Sequence, residues 1–392
     1  MKKIFLLSCS ILFLAKCSSE EKATPQIVAN KSEIVKTYSK IVLASYSDAL
    51  EQAQKLNQEI ATFTANPSAA GLEKCKQAWL NARPSYLQTE AYRFYSGPID
   101  NDSTGVEGLL NAWPLDEAYI DYTKNNSYII ETGVINDSLN YPSITSDFLV
   151  KDNELNGETD VKVGYHAIEF LLWGQDESKT GPGNRPYTDY LIASNKNAFR
   201  RATYLKVVSN LLVESLQQVK QQWETSSNFR KEFEKESNTD ASIINILIGL
   251  GKLSKGELAG ERLGAALANK SQEDEHSCFS DNTHNDFIYN QKGINNVFVG
   301  SYTMTNGTKI EGYSFSEYLK NTKISAFNET VLKLNKSTDA IKNIPVPFDL
   351  AIESATGQQK ITEAIASLKE QSNQIVQIAK EMGYTLIVPE KN

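Results

Sequence analysis

Apolar residues recur at helical spacing along most of this chain and mark out long helices, with no strand-rich region. Between Lys31 and Ala65 the positions Ile34, Tyr38, Ile41, Leu43, Tyr46, Leu50, Ala53, Leu56, Ile60 and Phe63 follow that spacing, which is the signature of an amphipathic helix. Asn66 and Pro67 stop it, since proline cannot continue the hydrogen-bond ladder. A second helix is predicted from Ser68 to Phe94, kinked at Pro84, and it places Arg83 and Glu90 on one face flanked by Trp79, Tyr86 and Phe94. Further helical stripes cover 195–224, 239–269, 316–344 and 354–382, the last two separated by the proline turn PVPFD.

Within 239–269 the glycines Gly256, Gly260 and Gly264 repeat every four residues, with Ala268 extending the row. Each costs about 1 kcal/mol of helix propensity, so the row predicts a backbone packed closely on a neighbour. Between Gly97 and Asp160 turn signals interrupt the pattern, and only short helices are expected. The loop GQDESKTGPGNRPY, 174–187, reads as a boundary. The fold class is all-α, two helical bundles over 31–180 and 181–392. A short hairpin fits the turn-rich TMTNGTKIEGYS.

The stretch GYHAIEFLLWGQD, 164–176, sets a histidine and a carboxylate in an apolar run. Residues three apart share a helix face, so His166 and Glu169 project together, with Trp173 one turn further on. Tyr165, Ile168, Phe170, Leu171 and Leu172 cover the other sides, which predicts a buried helix. A buried His and Glu must pair with each other, with an arginine or with a metal ion, and the residues alone leave a structural hydrogen bond and a functional site equally open. The densest polar cluster is QEDEHSCFSDNTHNDF, 272–287, which holds His276 and His284, two of the three histidines, with Asp281 and Asp286. Read locally it is a capped, solvated turn in which Asp281 or Asn282 caps the following helix.

The first residues alter the picture of location. Two lysines precede an apolar run from Ile4 to Ala15 that ends in Leu-Ala-Lys-Cys, the length of a signal peptide and too short to span a bilayer. Residues 1–16 are expected to be a lipoprotein leader, Cys17 the acylated residue, and 17–30 a flexible tether. Removing Lys2, Lys3 and Lys16 makes a chain of net charge −8 more acidic still, which argues against a nucleic-acid partner. Cys75 and Cys278 remain for an exported chain; one bridge or two buried thiols are both compatible with that.

At GYHAIEFLLWGQD the chain resembles the imelysin family, whose signature GxHxxE corresponds here to Gly164, His166 and Glu169. AWLNARPSYLQTEAYRF and GPID in the first half, and LAGERLGAALANKSQEDEHSCFSDNTHND in the second, extend the resemblance from about Lys31 to Tyr384. It implies exported, often lipid-anchored bacterial proteins of two related helical bundles, an internal duplication, associated with iron acquisition and carrying a peptidase classification. By residue it points to His166, Glu169, Glu90 and Asp100 as metal ligands, with Arg83 as counter-charge and Gly164, Trp173, Asp281 and His284 in support. Pro84 and Lys16 depart from the pattern.

One nitrogen and three carboxylates suit iron or zinc better than Cu(I), with affinity expected to fall below pH ~6.5 as imidazole protonates. A zincin peptidase uses HExxH, and this chain has HxxE without the second histidine one turn on. The expected function is therefore an iron-linked metal or ligand-binding lipoprotein of the outer membrane, on its periplasmic or cell-surface side, working with an iron or haem receptor. The alternatives are a metallopeptidase and a non-catalytic adaptor whose His–Glu pair is structural.

Overall fold

The structure is a computed structural model that describes residues 30–125 and 128–389. The expected leader, Cys17 and nearly all of the tether lie outside the described residues. Helix α1 (Lys31–Ala65) begins where the Asn30 side chain accepts the Ser32 N–H, and it ends at Asn66 as its proline predicts. Helix α2 (Ala69–Thr89), capped by Ser68, runs through Pro84 and packs along α1 as an αα-hairpin. The predicted second helix continues to Phe94, but the chain instead tightens into a 3₁₀ turn at Glu90–Tyr92 and is extended by Arg93, with Phe94 at φ 72°.

The Gly164–Trp173 helix lies against α2 and against the Ala198–Gln222 helix, which also packs on α1. The proposed division at residue 180 puts this last helix in the second bundle, yet its apolar face, Leu205, Val208, Leu212, Leu216 and Val219, is buried with the first. The Arg185 and Arg201 guanidinium groups both grip the buried Asp121 carboxylate, at 2.8 and 2.6 Å, so Arg185 ties the 174–187 loop to the carboxylate that also anchors the Ala198–Gln222 helix.

The second group of helices comprises Thr239–Lys252, Leu253–Arg262, Leu263–Asn269, Thr283–Val299, Ile324–Lys342 and Ala355–Glu381. It joins the first through Thr283–Val299 on α2 and Thr239–Lys252 on α1, and one apolar core runs through both. The class is all-α. Among the described residues the strands form two small antiparallel ribbons, β1 (Thr123–Asn125) with β2 (Tyr128–Ile130) and β3 (Ser301–Thr303) with β4 (Lys309–Glu311). The second is the hairpin expected in TMTNGTKIEGYS, held to α1 by Tyr302 and Thr305 donating to the Asp48 carboxylate.

The glycine row does not pack on a neighbour. A Cβ at Gly256 would meet nothing within 4 Å, and at Gly260 only the Lys255 carbonyl, 3.5 Å away in its own turn. Leu253–Arg262 is a π-helix, a wide turn that is frequent at functional sites. The close approach occurs at Gly293, where a Cβ would stand 2.4 Å from the Gln88 carbonyl, and it brings Thr283–Val299 against α2. Cys75 and Cys278 are separate buried thiols.

Candidate functional site

Gly164 opens the HxxE helix at φ +87°, and a Cβ there would lie 2.6 Å from the Leu110 carbonyl. Only glycine meets both conditions without strain. Two residues on, His166 Nδ1 sits 2.9 Å from Glu169 Oε2, both side chains being fully buried. The other Glu169 oxygen, Oε1, accepts the Ser280 N–H at 3.0 Å and the Ser280 hydroxyl at 2.7 Å. Both carboxylate oxygens are thus engaged, while His166 Nε2 is buried with no hydrogen-bond partner.

The neighbour of His166 is His276, whose ring stands edge-on at 4.6 Å between centroids. Arg83 fixes its tautomer through a closed circuit. Arg83 donates to Asn111 Oδ1 at 2.7 Å, which turns the Asn111 amide N–H₂ toward His276 Nε2, 3.3 Å away. His276 Nε2 is therefore the acceptor, and Nδ1–H donates to Asp286 Oδ2 at 2.6 Å. Arg83 closes the ring on the same Asp286 oxygen at 3.3 Å, and the Ser277 hydroxyl adds a further donor at 2.5 Å. His276 and Asp286, which read in sequence as part of a solvated turn, are both buried; the density of polar residues in 272–287 was the available signal.

Glu90 and Asp100 have other partners. Glu90 Oε2 accepts Arg262 at 2.7 Å and Arg93 at 2.8 Å, with Arg262 reaching inward from the end of the π-helix to Asn290 as well. Burial pushes the Glu90 carboxyl upward, but Arg93 and Arg262 outweigh it and hold it down at about 2. Its Oε1 is buried and unpartnered. The Asp100 carboxylate accepts the Phe94 N–H and, at 2.8 Å, the Gly97 N–H, clamping the turn in which Phe94 and Ser96 take positive φ.

Burial, then His276 and Arg83, depress His166 well below its ordinary value, and burial with Arg262 and Arg83 does the same to His276. Both imidazoles are neutral at pH 6.5. Burial lifts Glu169 to about 8 against the Ser280 hydrogen bonds. At neutral pH Glu169 therefore holds its proton beside a neutral His166. Once that proton is lost, Nδ1–H donates to the carboxylate and Nε2 presents a lone pair, the arrangement in which a carboxylate orients a metal-binding imidazole. As a coordination sphere the four residues are not assembled: Glu169 orients His166, Asp100 clamps backbone, and Glu90 offers one free oxygen beside its arginines. His166 Nε2 and Glu90 Oε1 are ligand-type atoms left without partners, and in that respect the donor chemistry fits iron or zinc.

Trp173 lies at the far end of the helix, edge-on to Trp79 at 5.3 Å, and Trp79 donates to the Tyr165 carbonyl at 2.9 Å. These contacts hold the HxxE helix to α2. His284 is half-buried in the first turn of Thr283–Val299, and the histidine that reaches His166 is His276. Asn282 occupies the N-cap position without a side-chain capping bond, while Asp281, at φ 53°, faces Asp176 and Asp349.

The family model for imelysin matches residues 42–375. Iron-regulated protein A of Synechococcus elongatus is 24% identical over 269 residues, 66% of this chain and 62% of its own length, so the match spans less than two thirds of that relative. Two crystal structures share the fold. One, described as an iron-regulated protein A precursor from Parabacteroides distasonis, has a TM-score of 0.68 at 20% identity over 91% of this chain and 97% of its own. The other, an imelysin-like protein from Psychrobacter arcticum 273-4, has a TM-score of 0.62 at 13% identity over 92% of this chain and 98% of its own. With the family match covering most of the chain and including Gly164, His166 and Glu169, this protein belongs to the imelysin family.

Proposed function

We propose that this protein is an iron-linked binding protein in which His166 contacts iron or an iron-bearing ligand. The observation that carries the reading is the buried His166 Nε2, unpartnered while Glu169, itself held by Ser280, engages Nδ1. Glu90 Oε1 is the nearest thing to a second ready ligand from the HxxE-associated set, and His276 Nε2 becomes a third if Asn111 turns away. The names of the relatives, which describe iron-regulated proteins, support the iron link. The export reading goes with it: a leader ending at Cys17, a lipid anchor in the outer membrane, and an iron or haem receptor as partner. Among the described residues no helix is long and apolar enough to cross a membrane.

A peptidase would need a general base free to act, and Glu169 and Asp286 are both bound to histidines. The double use of Glu169 favours instead, as a second reading, an adaptor in which the His–Glu pair is structural. Titrations of Fe²⁺, Fe³⁺ and Zn²⁺ into wild type, His166→Ala and Glu90→Gln separate the two. The binding reading expects His166→Ala to lose at least tenfold in affinity with its helical spectrum intact. Equal binding by wild type and His166→Ala, or none by either, leaves the adaptor.

A further inference from the structure

Among the described residues, a group of carboxylates apart from the histidine site has no account in the fold. Asp176 follows the HxxE helix, Asp281 sits in the 275–283 loop, and Asp349 lies in the Phe348–Glu353 helix. One carboxylate oxygen from each lies within 4.8 Å of the other two, and among the described residues no other three metal-ligand side chains meet this closely. Asp281 is partly exposed and the other two are buried. Like charges at that distance repel in a medium that screens them poorly, and among the described residues no Lys or Arg forms an ion pair with them.

A second observation is independent of the three aspartates. Glu275, 1% exposed, places its carboxylate beside Asp349 and the Thr283 hydroxyl, and neither of its oxygens makes a hydrogen bond of good geometry. Unpartnered oxygens are Asp176 Oδ2, Asp281 Oδ1, both of Asp349 and both of Glu275, six in all. A buried carboxylate without a donor is among the costliest groups a fold can carry. Here Asp349 and Glu275, with both oxygens unpartnered, stand beside Asp176 and Asp281, with one each. Burial and mutual repulsion raise Asp176 to about 7, Asp281 to about 6 and Glu275 to about 10. The remaining Asp176 oxygen accepts the Ser178 N–H at 2.9 Å, which aims the free one. Asp176 also lines a cavity of about 220 Å³ with Trp173, Gln175, Ser178 and Arg185.

We propose that Asp176, Asp281, Asp349 and Glu275 bind one hard divalent cation of the Ca²⁺, Mn²⁺ or Mg²⁺ class. The ligands are oxygen alone, which these ions prefer and which does not select zinc or copper. The site lies beside the histidine site and does not depend on it. The cation joins three segments: the end of the HxxE helix, the Phe348–Glu353 helix and the 275–283 loop. Glu275 and Asp281 flank His276, Ser277 and Ser280, the loop residues that complete the surroundings of His166 and Glu169. The cation is thus a staple for the loop that builds the other site.

The test is titration of CaCl₂, MnCl₂ and MgCl₂ into full-length protein stripped with EDTA and dialysed, followed by calorimetry and by thermal melting. Wild type should bind one equivalent of at least one cation saturably and melt higher when loaded. Asp349→Asn and Glu275→Gln, which keep shape and remove charge, should each weaken binding at least tenfold and abolish the rise in melting temperature. His166→Ala should keep both. The proposal is overturned if no cation binds wild type up to about 10 mM, beyond the weakest extracellular calcium sites, or if both variants bind as wild type does. It is equally overturned if His166→Ala alone removes the binding. Should one variant fail to fold, the other variant and the wild-type titration decide.

Discussion

Ser280 donates twice to a single oxygen of Glu169, through its N–H at 3.0 Å and its hydroxyl at 2.7 Å, from 111 residues further along the chain. This contact makes the two halves of the chain one site. It leaves the second Glu169 oxygen to His166 alone, so the imidazole is oriented from one side and bare on the other. Ser280→Ala keeps the backbone bond and loses the hydroxyl one. The expected cost is about 1.5–3 kcal/mol, the range for a hydrogen bond to a charged group, read by urea denaturation at pH 9, where Glu169 is ionised. At pH 6, with Glu169 protonated, the loss should be smaller.

Arg262 and Glu90 are both fully buried and paired at 2.7 Å. Breaking such a pair from one side leaves an uncompensated charge and costs about 3–5 kcal/mol. Arg262→Ala should therefore destabilise strongly, because Arg93 alone remains for Glu90. Arg262→Ala with Glu90→Gln should recover a good part of the loss. A double-mutant cycle in denaturant checks this, and additive losses would show that the pair is not coupled.

His166 and His276 have folded values well below the ordinary one. A depressed histidine leaves the unfolded chain holding more protons below pH ~6.5, so its contribution is full above that pH and is lost as pH falls toward the folded value. The stability gap between wild type and His276→Gln should narrow by up to about 1.4 kcal/mol per pH unit below ~6.5. A gap that stays constant from pH 7.5 to 5 would contradict the burial argument. The depression also alters the expectation for metal affinity, since His166 remains neutral below pH 6.5 and any loss of binding begins at a lower pH.

Two glycines should respond in opposite directions. At Gly256 a Cβ meets open space, so Gly256→Ala should be neutral or stabilise by up to about 1 kcal/mol through propensity. At Gly293 a Cβ would stand 2.4 Å from the Gln88 carbonyl, and the helices must part to admit it. Gly293→Ala should cost about 1–3 kcal/mol, the range for overpacking. Thermal melts of the two variants beside wild type distinguish the sites.

The periodicity of the chain determined the class, the long helices and their stops, because burial of one helical face is written in every turn of sequence. The same pattern made Gly164–Trp173 a buried helix, with His166 and Glu169 on one face, since three-residue spacing is local geometry. What pairs with them is a matter of distance in space. His276 and Asp286 look in sequence like a polar turn, and they become interior only because the 275–283 loop folds under the HxxE helix. Glu90 and Asp100 are chemically able ligands, yet tertiary structure gives Glu90 to Arg262 and Arg93 and turns Asp100 to backbone N–H groups. The regular spacing of Gly256, Gly260 and Gly264 suggested helix contact, but the π-helix widens that turn, and close approach falls on the less conspicuous Gly293. Asp176, Asp281 and Asp349 are 105 and 68 residues apart in the chain. No local pattern can announce a cluster of that kind, because only the folded backbone sets which distant carboxylates meet.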